Sequence, residues 1–389
     1  IKPVPERNIT TENWASPPHN RKSFQQVQSL FPTRRLKRGP GPITQLNRQT
    51  QELLALPYNA YSGQRSLQQM LDNTYTDAFL VMKDGSVITE LYFNDMAADS
   101  HHLLNSVSKS FVGMLVGILV DQGMLDTQAK LTRYLPEFSD TAFVDTTIRH
   151  CLDMTAAVRY TEDYEDEQAD FWKETAVVGW RPKLVNRHSP ITLFQFASSL
   201  NQKAQLDGQQ YHYRTVLTNV LAMAAERATG ISIGDLLEQR IWQKLGAEQD
   251  AAIVVDSIGF PYLGAGMSVC ARDLARFGQM ILGNGFFNGQ QVVPATWIED
   301  TRHADKNGKQ LFADSNYAPM LPGGHYRNQV WVGDSDQGIL MCIGIHGQTI
   351  HINMTTGVVI VKLSSHPKPD DNFIFNDTFR ALNDLSRLL

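Results

Sequence analysis

The sequence predicts a mixed α/β (α+β) fold in which a helical insertion interrupts the domain that contains the strands. β-prone runs occur over residues 78–93 and again over residues 330–363, and the stretch between them has mostly helical spacing. The chain has 389 residues and is 42% hydrophobic, which is enough apolar sequence for a large packed core. Strands at both ends with helices between them indicate one discontinuous α/β domain.

The first strong pattern predicts a hairpin followed by a buried helix. β-prone runs flank Lys83-Asp84-Gly85-Ser86, and Asp-Gly between two such runs is typical of a hairpin turn. Asn105 opens the next segment, in which apolar residues recur with helical spacing over a broad face. We expect Asn105 to cap this helix and Gly123 to end it.

The same patterns divide the rest of the chain. Further helices are predicted over residues 216–229, 233–245, 271–282 and 372–389. Further strands are predicted over residues 330–333, 339–345, 349–354 and 358–363. We therefore expect an N-terminal arm packed on the main body (1–60), a discontinuous α/β domain (61–124 and 257–389) and a helical domain (125–256).

Composition excludes several classes of partner. The 35 Lys and Arg residues are outnumbered by 40 Asp and Glu residues, so no global positive field attracts nucleic acid. The longest apolar run, residues 111–120, has half the roughly 20 residues of a membrane span. One basic run, Arg34 to Arg38 with Lys37, is expected to be solvated, and a phosphate or partner site is the alternative.

Compartment and assembly stay open at this stage. Three scattered cysteines do not make a disulfide framework, which fits a reduced compartment without excluding a periplasmic one. The chain begins at Ile1 rather than Met, so we expect that a segment has been removed. The protein is expected to be soluble and bacterial in type, cytoplasmic or periplasmic, and a homodimer is left open.

Metal and cysteine chemistry are not expected. His346 and His351 lie five residues apart on predicted strands, so their side chains face opposite ways. Cys151 is interpreted as a small buried hydrophobe rather than a nucleophile. We expect no metal and no organic cofactor.

One pattern supports nucleophilic catalysis, Ser106-x-x-Lys109. Residues three apart on a helix share a face, so the lysine amine can reach the serine hydroxyl and activate it. The first helical turn also favours a developing oxyanion. A second copy, Ser365-x-x-Lys368, contains Pro367 and lies at a C-terminal loop position without a helix N-terminus, so it is interpreted as coincidence. The alternative for the first copy is a capped helix with Lys109 extending to solvent.

The segment from Asn105 to Ser110 resembles the nucleophile segment of the serine β-lactamase and penicillin-binding-protein superfamily. The chain is most similar to its class C-like hydrolases and esterases, and among these to the 6-aminohexanoate-dimer (nylon oligomer) hydrolases. Supporting stretches lie at residues 74–81, 162–164, 179–181, 271–276, 344–348 and 359–365. The resemblance implies a β-lactamase/transpeptidase-like fold, an antiparallel sheet flanked by helices with an all-helical inserted domain.

The resemblance also implies catalytic roles. Ser106 would be the nucleophile and Lys109 its base. The second family motif falls on Tyr213-Arg214-Thr215, so Tyr213 would pass a proton to the leaving group. The Ile345 N–H would be the second oxyanion donor beside Ser106.

For the substrate pocket, the resemblance implies Tyr164, Trp180 and His346 as lining residues. Thr175 stands where the most active dimer hydrolases carry an acidic residue, and Gly264 where an asparagine is expected. The third family motif, Lys-Thr-Gly, is replaced by His346-Gly347-Gln348. Loss of that cation removes a partner for a β-lactam carboxylate, which argues against an efficient β-lactamase.

These observations predict a serine hydrolase that cleaves small carboxylic esters through an acyl-enzyme. Amides are a second candidate class of substrate. The partner is a small-molecule ester or amide, not nucleic acid. The alternatives are a 6-aminohexanoate oligomer amidase, a penicillin-binding or cell-wall peptidase, and a non-catalytic binding protein of the same fold.

Overall fold

The computed structural model describes residues 9–182 and 189–389. Within these residues the strands are β1 (Thr33–Leu36), β2 (Asn47–Arg48), β3 (Pro57–Ala60), β4 (Gly63–Ser66), β5 (Thr76–Lys83), β6 (Ser86–Tyr92), β7 (His102–Leu103), β8 (Ala251–Val254), β9 (Met267–Val269), β10 (Phe286–Phe287), β11 (Gln290–Gln291), β12 (His325–Arg327), β13 (Val330–Asp334), β14 (Ile339–Gly344), β15 (Gln348–Asn353) and β16 (Val358–Ser364). The helices are α1 (Asn20–Ser23), α2 (Val27–Leu30), α3 (Leu67–Asn73), α4 (Ser108–Asp121), α5 (Ile148–Leu152), α6 (Asp170–Val177), α7 (Leu193–Ser198), α8 (Val216–Thr229), α9 (Ile233–Arg240), α10 (Ala271–Leu282), α11 (Ala295–Arg302), α12 (Lys306–Ala313) and α13 (Asn372–Leu388).

Most of the predicted elements are confirmed. The hairpin of β5 and β6 turns at Asp84-Gly85, and the C-terminal strands lie within one residue of their predicted ends. The helix predicted over residues 233–245 is shorter, because α9 ends at Arg240 and a 3₁₀ turn follows over Trp242–Leu245. Local periodicity therefore predicts the type of these elements well and the helix ends less well.

An eight-stranded sheet joins the two ends of the chain. Its order is β12-β13-β14-β15-β16-β5-β6-β2, and every pairing is antiparallel except that of β2 with β6. β5 pairs with β16 over its whole length, with Val81 opposite Ile360. The strands of the N-terminal hairpin and of the C-terminal third thus form one sheet, as the predicted fold requires.

A second, smaller sheet ties the arm to the middle of the chain. It has the order β1-β8-β9-β7, so β1 of the arm pairs with β8, which lies at the end of residues 125–256. Arg34 and Arg35 form ion pairs with Asp235 and Asp250, and Arg38 Nε donates to the Ala247 carbonyl at 2.8 Å. The basic run holds the arm on neighbouring segments, and the helical region ends before β8.

The helix α4 is the buried centre of the molecule. Its residues from Ser108 to Leu119 are all buried, because it packs between the large sheet and the helices α8 and α9. A Cβ at Gly113 would lie 2.0 Å from the Asn328 carbonyl oxygen, and one at Gly117 2.4 Å from the Trp297 ring. Glycine at these two positions lets the neighbouring segments approach the helix axis closely.

The N-terminus of α4 differs from the prediction. Asn105 does not cap the helix, since no side-chain cap bond is present and α4 follows a 3₁₀ turn over Asn105–Val107. Asn105 has φ of 46° and its Nδ2 donates to the Ile345 carbonyl at 3.1 Å. At the other end Gly123, with φ of 70°, follows the last turn as predicted.

No helix among residues 9–182 and 189–389 has the length and apolar content needed to cross a bilayer. Cys151, Cys270 and Cys342 are buried free thiols. Burial raises the pKa of the Cys151 thiol well above its usual value, which agrees with its interpretation as an unreactive core residue.

We predict that Gly113→Ala lowers the free energy of unfolding by about 1–3 kcal/mol, because the new methyl group overlaps backbone that cannot easily move. Chemical denaturation of both proteins measures the difference. Gly41→Ala is the control, since a Cβ at Gly41 meets nothing within 4 Å, and it should change stability by less than about 0.5 kcal/mol. Equal stability of the two variants would contradict the close packing at Gly113.

Candidate active site

Ser106 lies in the 3₁₀ turn that precedes α4, beside the end of strand β14. Its side chain is 7% exposed. A Cβ at Gly344, the last residue of β14, would lie 2.4 Å from the Leu104 carbonyl oxygen and 3.1 Å from the Ser106 nitrogen. Glycine at this position therefore allows the strand end and the Ser106 backbone to touch, which brings Ile345 next to Ser106.

Lys109 lies one helical turn further along and is only 1% exposed. Its Nζ donates hydrogen bonds to Ser106 Oγ at 2.9 Å, to Thr215 Oγ1 at 2.9 Å and to the Gly264 carbonyl at 2.7 Å. The alternative in which Lys109 extends to solvent is excluded by this burial. Burial lowers the pKa of Lys109 to about 8, although Glu162 and Glu174 favour its charged form.

Thr215 can only accept from Lys109. Its Oγ1 hydrogen is donated to Glu162 Oε1 at 2.7 Å, and its backbone N–H donates to Glu162 Oε2 at 2.7 Å. Tyr164 donates a third hydrogen bond to the same carboxyl group, at 2.8 Å. Burial raises the pKa of Glu162, whereas Lys109 and these donors favour its ionised form.

A second buried carboxyl group, that of Glu174 on α6, lies behind Gly264. The Glu174 side chain is completely buried, and it accepts hydrogen bonds from Tyr160 and from Asn219 Nδ2. Asn219 Oδ1 in turn accepts from the Gly264 N–H at 3.0 Å. Burial raises the pKa of Glu174 to about 8.

Tyr213 reaches the same point from the loop before α8. Its hydroxyl lies close to the Ser106 side chain, which favours the ionised phenol, and Lys109 Nζ lies 4.9 Å from the centroid of its ring. The ring stacks on Trp331 at 5.2 Å between centroids. Burial raises the pKa of the Tyr213 phenol well above its usual value, so Tyr213 is a proton donor at neutral pH.

Two of the pocket residues implied by the resemblance, Tyr164 and Trp180, pack against other aromatic side chains. Tyr164 packs on Phe171 at 5.1 Å between ring centroids, beside the Glu162 carboxyl group. Trp180 is buried between Trp14 of the arm and Tyr262. Tyr164 therefore contacts the buried polar group directly, whereas the recorded ring contacts of Trp180 are with other aromatic side chains.

Three other residues named from the resemblance present no free side chain to a ligand. Thr175 is fully buried and donates to the Trp172 carbonyl of its own helix at 2.9 Å. His346 is 5% exposed and its Nδ1 contacts the His366 carbonyl at 2.7 Å. Gly264 takes part through its backbone alone, with its carbonyl on Lys109 and its N–H on Asn219.

Sequence reasoning assigned no role to Glu162, Glu174 or Asn219. Glu162 and Glu174 lie in a region with many acidic residues, and spacing along the chain does not distinguish a buried carboxylate from an exposed one. Their burial is the informative signal, because a carboxyl group is almost never fully buried without partners.

Two other serines match short motifs. Ser365 of the second S-x-x-K copy is fully buried and donates to Asp77 Oδ2 at 2.6 Å, while Lys368 is 69% exposed. Ser232 lies in Gly230-Ile231-Ser232-Ile233-Gly234, which fits the G-x-S-x-G pattern of other hydrolases. It caps α9 by accepting from the Asp235 N–H, and it connects two helices rather than a strand and a helix. Each of these hydroxyls donates to an aspartate, and neither has a recorded hydrogen bond to a lysine.

A cleft of about 690 Å³ opens beside Glu162 and Tyr317. Its rim carries Asp163, Asp314 and Asp370, and its described lining includes no Lys or Arg. Burial is the main cause that raises the pKa of Asp370, and the nearby carboxylates of Glu165 and Asp163 raise it further. Within residues 9–182 and 189–389, no group of three or more His, Cys, Asp or Glu side chains could hold a metal ion.

The sequence profile of the family described as Beta-lactamase matches residues 64–384. The chain belongs to the beta-lactamase family. A 6-aminohexanoate-dimer hydrolase of Paenarthrobacter ureafaciens is 34% identical to it over 382 residues, which cover 98% of this chain and 94% of the relative. The family resemblance noted from the sequence is thereby confirmed.

Solved structures place this beta-lactamase-family protein in the same fold. A Bacillus anthracis protein described as a candidate 6-aminohexanoate-dimer hydrolase matches with a TM-score of 0.90 and 25% identity, over 99% of this chain and 98% of that one. A family VIII carboxylesterase matches with a TM-score of 0.56 and 14% identity, over 80% and 94% of the two chains. The predicted fold class is confirmed, and the protein is a hydrolase of β-lactamase fold.

We predict that Lys109 and Lys362 lose their protons at a lower pH than exposed lysines do. Burial lowers the pKa of Lys109 to about 8 and that of Lys362, which is also fully buried, to about 7. Exposed lysines titrate near 10.4. NMR of protein labelled with [¹³C]lysine measures each titration, with Lys109→Met and Lys362→Met to assign the two signals. A Lys109 signal that does not move below pH 10 would contradict the dry environment described here.

Proposed function

We propose that the protein is a serine hydrolase that cleaves small carboxylic esters and amides through an acyl-enzyme on Ser106. The observation that carries the proposal is the set of hydrogen bonds around Lys109 Nζ. The Gly264 carbonyl and the Thr215 hydroxyl, whose hydrogen is donated to Glu162, both act only as acceptors toward this amine. Neutral Lys109 must direct its two hydrogens at them, so its lone pair faces Ser106, 2.9 Å away.

In acylation, Ser106 Oγ attacks the substrate carbonyl carbon while its proton moves to Lys109 Nζ. The carbonyl oxygen gains the negative charge, and the Ser106 and Ile345 N–H groups would stabilise it. The bond to the leaving oxygen or nitrogen then breaks as the Tyr213 hydroxyl donates its proton to that atom, and Lys109 returns the proton to Tyr213. Water repeats these steps on the acyl-enzyme and releases the acid.

The electrostatics support these roles. A lysine that remained fully charged until pH 10 could not accept a proton at neutral pH, whereas the pKa of Lys109 is lowered to about 8 by burial. The pKa of Tyr213 is raised, so the phenol keeps its proton until the leaving group takes it. The two groups are therefore tuned in opposite directions, as a base and an acid acting in sequence require.

The acidic cleft favours one substrate class as a second, narrower candidate, linear amides or esters that end in an ammonium group. Asp163, Asp314 and Asp370 create a negative potential in the cleft that Glu162, the hydrogen-bond partner of Thr215, also lines. The relative that is 34% identical is named a 6-aminohexanoate-dimer hydrolase, and its named substrate carries such an ammonium group. Because Thr175 is buried, we propose that the rim carboxylates take the ammonium group.

A penicillin-binding role has less support. The residues that follow β14, His346-Gly347-Gln348, include no lysine, and burial lowers the pKa of His346 to about 4, so this segment offers no cation to a β-lactam carboxylate. Stable acylation by a fluorescent penicillin would favour that alternative over ester and amide hydrolysis.

We predict that Ser106→Ala lowers kcat for a short-chain aryl ester by about 10³-fold or more, because the substitution removes the attacking hydroxyl. Intact-mass and peptide mass spectrometry should place a phosphonate label on Ser106. Below pH 8 the labelling rate should fall about tenfold per pH unit, because protonated Lys109 cannot accept the serine proton. Labelling at Ser232 or Ser365, or unchanged turnover in Ser106→Ala, would contradict the proposal, and Ser232→Ala is the matched control.

We predict that Asp370→Asn weakens turnover of esters that carry a terminal ammonium group by about twofold to fivefold in kcat/KM, through KM, and leaves uncharged esters unchanged. Added salt should remove the difference, because rim carboxylates are screened. Asp336→Asn, which changes the net charge equally at an exposed site outside the cleft, is the control. Equal loss on charged and uncharged esters would count against the ammonium site.

A further inference from the structure

Asn219 is held in one orientation between Gly264 and Glu174. A backbone N–H can only donate, so Asn219 must turn its Oδ1 toward the Gly264 N–H, 3.0 Å away. Its Nδ2 then points at Glu174 Oε1, at 2.6 Å. Asn219 is 1% exposed and Glu174 fully buried, so water does not replace either partner.

Gly264 links Asn219 to Lys109 through the two peptide groups on either side of its Cα. Its N–H is held by Asn219, and its carbonyl accepts from Lys109 Nζ at 2.7 Å. The turn is tightly packed, since a Cβ at Gly264 would lie 2.4 Å from Thr215 Cγ2 and 3.4 Å from Asn219 Nδ2. A continuous hydrogen-bonded path thus runs from Glu174 through Asn219 and Gly264 to Lys109.

We propose that Glu174 is a positioning residue for the base. By accepting from Asn219, it holds the Gly264 carbonyl where it receives one Lys109 hydrogen, and so keeps the amine lone pair directed at Ser106. The inference rests on the proposed function of Lys109, and it assigns to Glu174 no contact with substrate.

Glu174 suits this task because its own position is fixed. It lies on α6, and its second carboxyl oxygen accepts from the Tyr160 hydroxyl. Without an acceptor at residue 174, the Asn219 amide group would keep a buried N–H₂ unpaired and would rotate toward another partner. Gly264 would then lose the hydrogen bond that holds its N–H.

The test compares Glu174→Leu, which removes the acceptor, with Glu174→Gln, which keeps an amide oxygen for Asn219. Thr218→Val is the matched control, because it breaks another buried hydrogen bond on α8, from Thr218 Oγ1 to Gln329 Oε1, outside the path. For each protein the melting temperature, kcat and KM for an uncharged aryl ester, and the rate of phosphonate labelling are measured.

We expect Glu174→Leu to lower kcat and the labelling rate at least tenfold with KM within about twofold, and Glu174→Gln to stay within about threefold of wild type. Thr218→Val should lose stability while keeping kcat within about twofold. Wild-type kcat in Glu174→Leu, a Gln variant as slow as the Leu variant, or an equally slow Thr218→Val would each overturn the inference.

If Glu174→Leu does not fold, Asn219→Ala interrupts the same path closer to Lys109. It should reduce kcat and the labelling rate at least tenfold while KM stays within about twofold. Full activity in Asn219→Ala overturns the inference. Failure of wild-type protein to become labelled on Ser106 instead overturns the proposed function itself.

Discussion

The arrangement of the site depends on one constraint, the amine of Lys109 in an interior without water. A buried ammonium or amine group needs a partner for each hydrogen, and here the partners are Ser106, Thr215 and Gly264. Two of these partners can only accept. The same contacts that make the burial of Lys109 tolerable therefore determine where its lone pair points.

Burial of Lys109 also explains why two carboxyl groups lie in the same interior. Glu162 and Glu174 favour the charged form of Lys109, while burial opposes it, and the balance leaves the pKa of Lys109 near 8 instead of far lower. Burial raises the pKa of both glutamates in return. The three groups limit one another's charge, so no isolated charge remains in the core, and this balance suits the base that we propose Lys109 to be.

The fold supplies this arrangement through close backbone approaches. Gly113 and Gly117 let α4 lie deep in the molecule, and Gly344 lets the end of β14 touch the Ser106 turn. The helices α6 and α8 then bring Glu174 and Asn219 behind Gly264 from a different part of the chain. The family relationship accounts for the sheet and α4, whereas Thr175 is buried and does not line the acidic cleft.

Three features could be predicted from the residues alone because their signals are local: the β5–β6 hairpin, the C-terminal strands, and the helix that places Lys109 one turn after Ser106. Periodicity and turn residues act over a few positions, so they could be interpreted without a fold. The burial of Lys109, and its contacts with Thr215 and Gly264, 106 and 155 residues away, arise only when distant parts of the chain pack together. Charge, pKa and the direction of a lone pair depend on which distant groups exclude water from a side chain, and no local spacing encodes that.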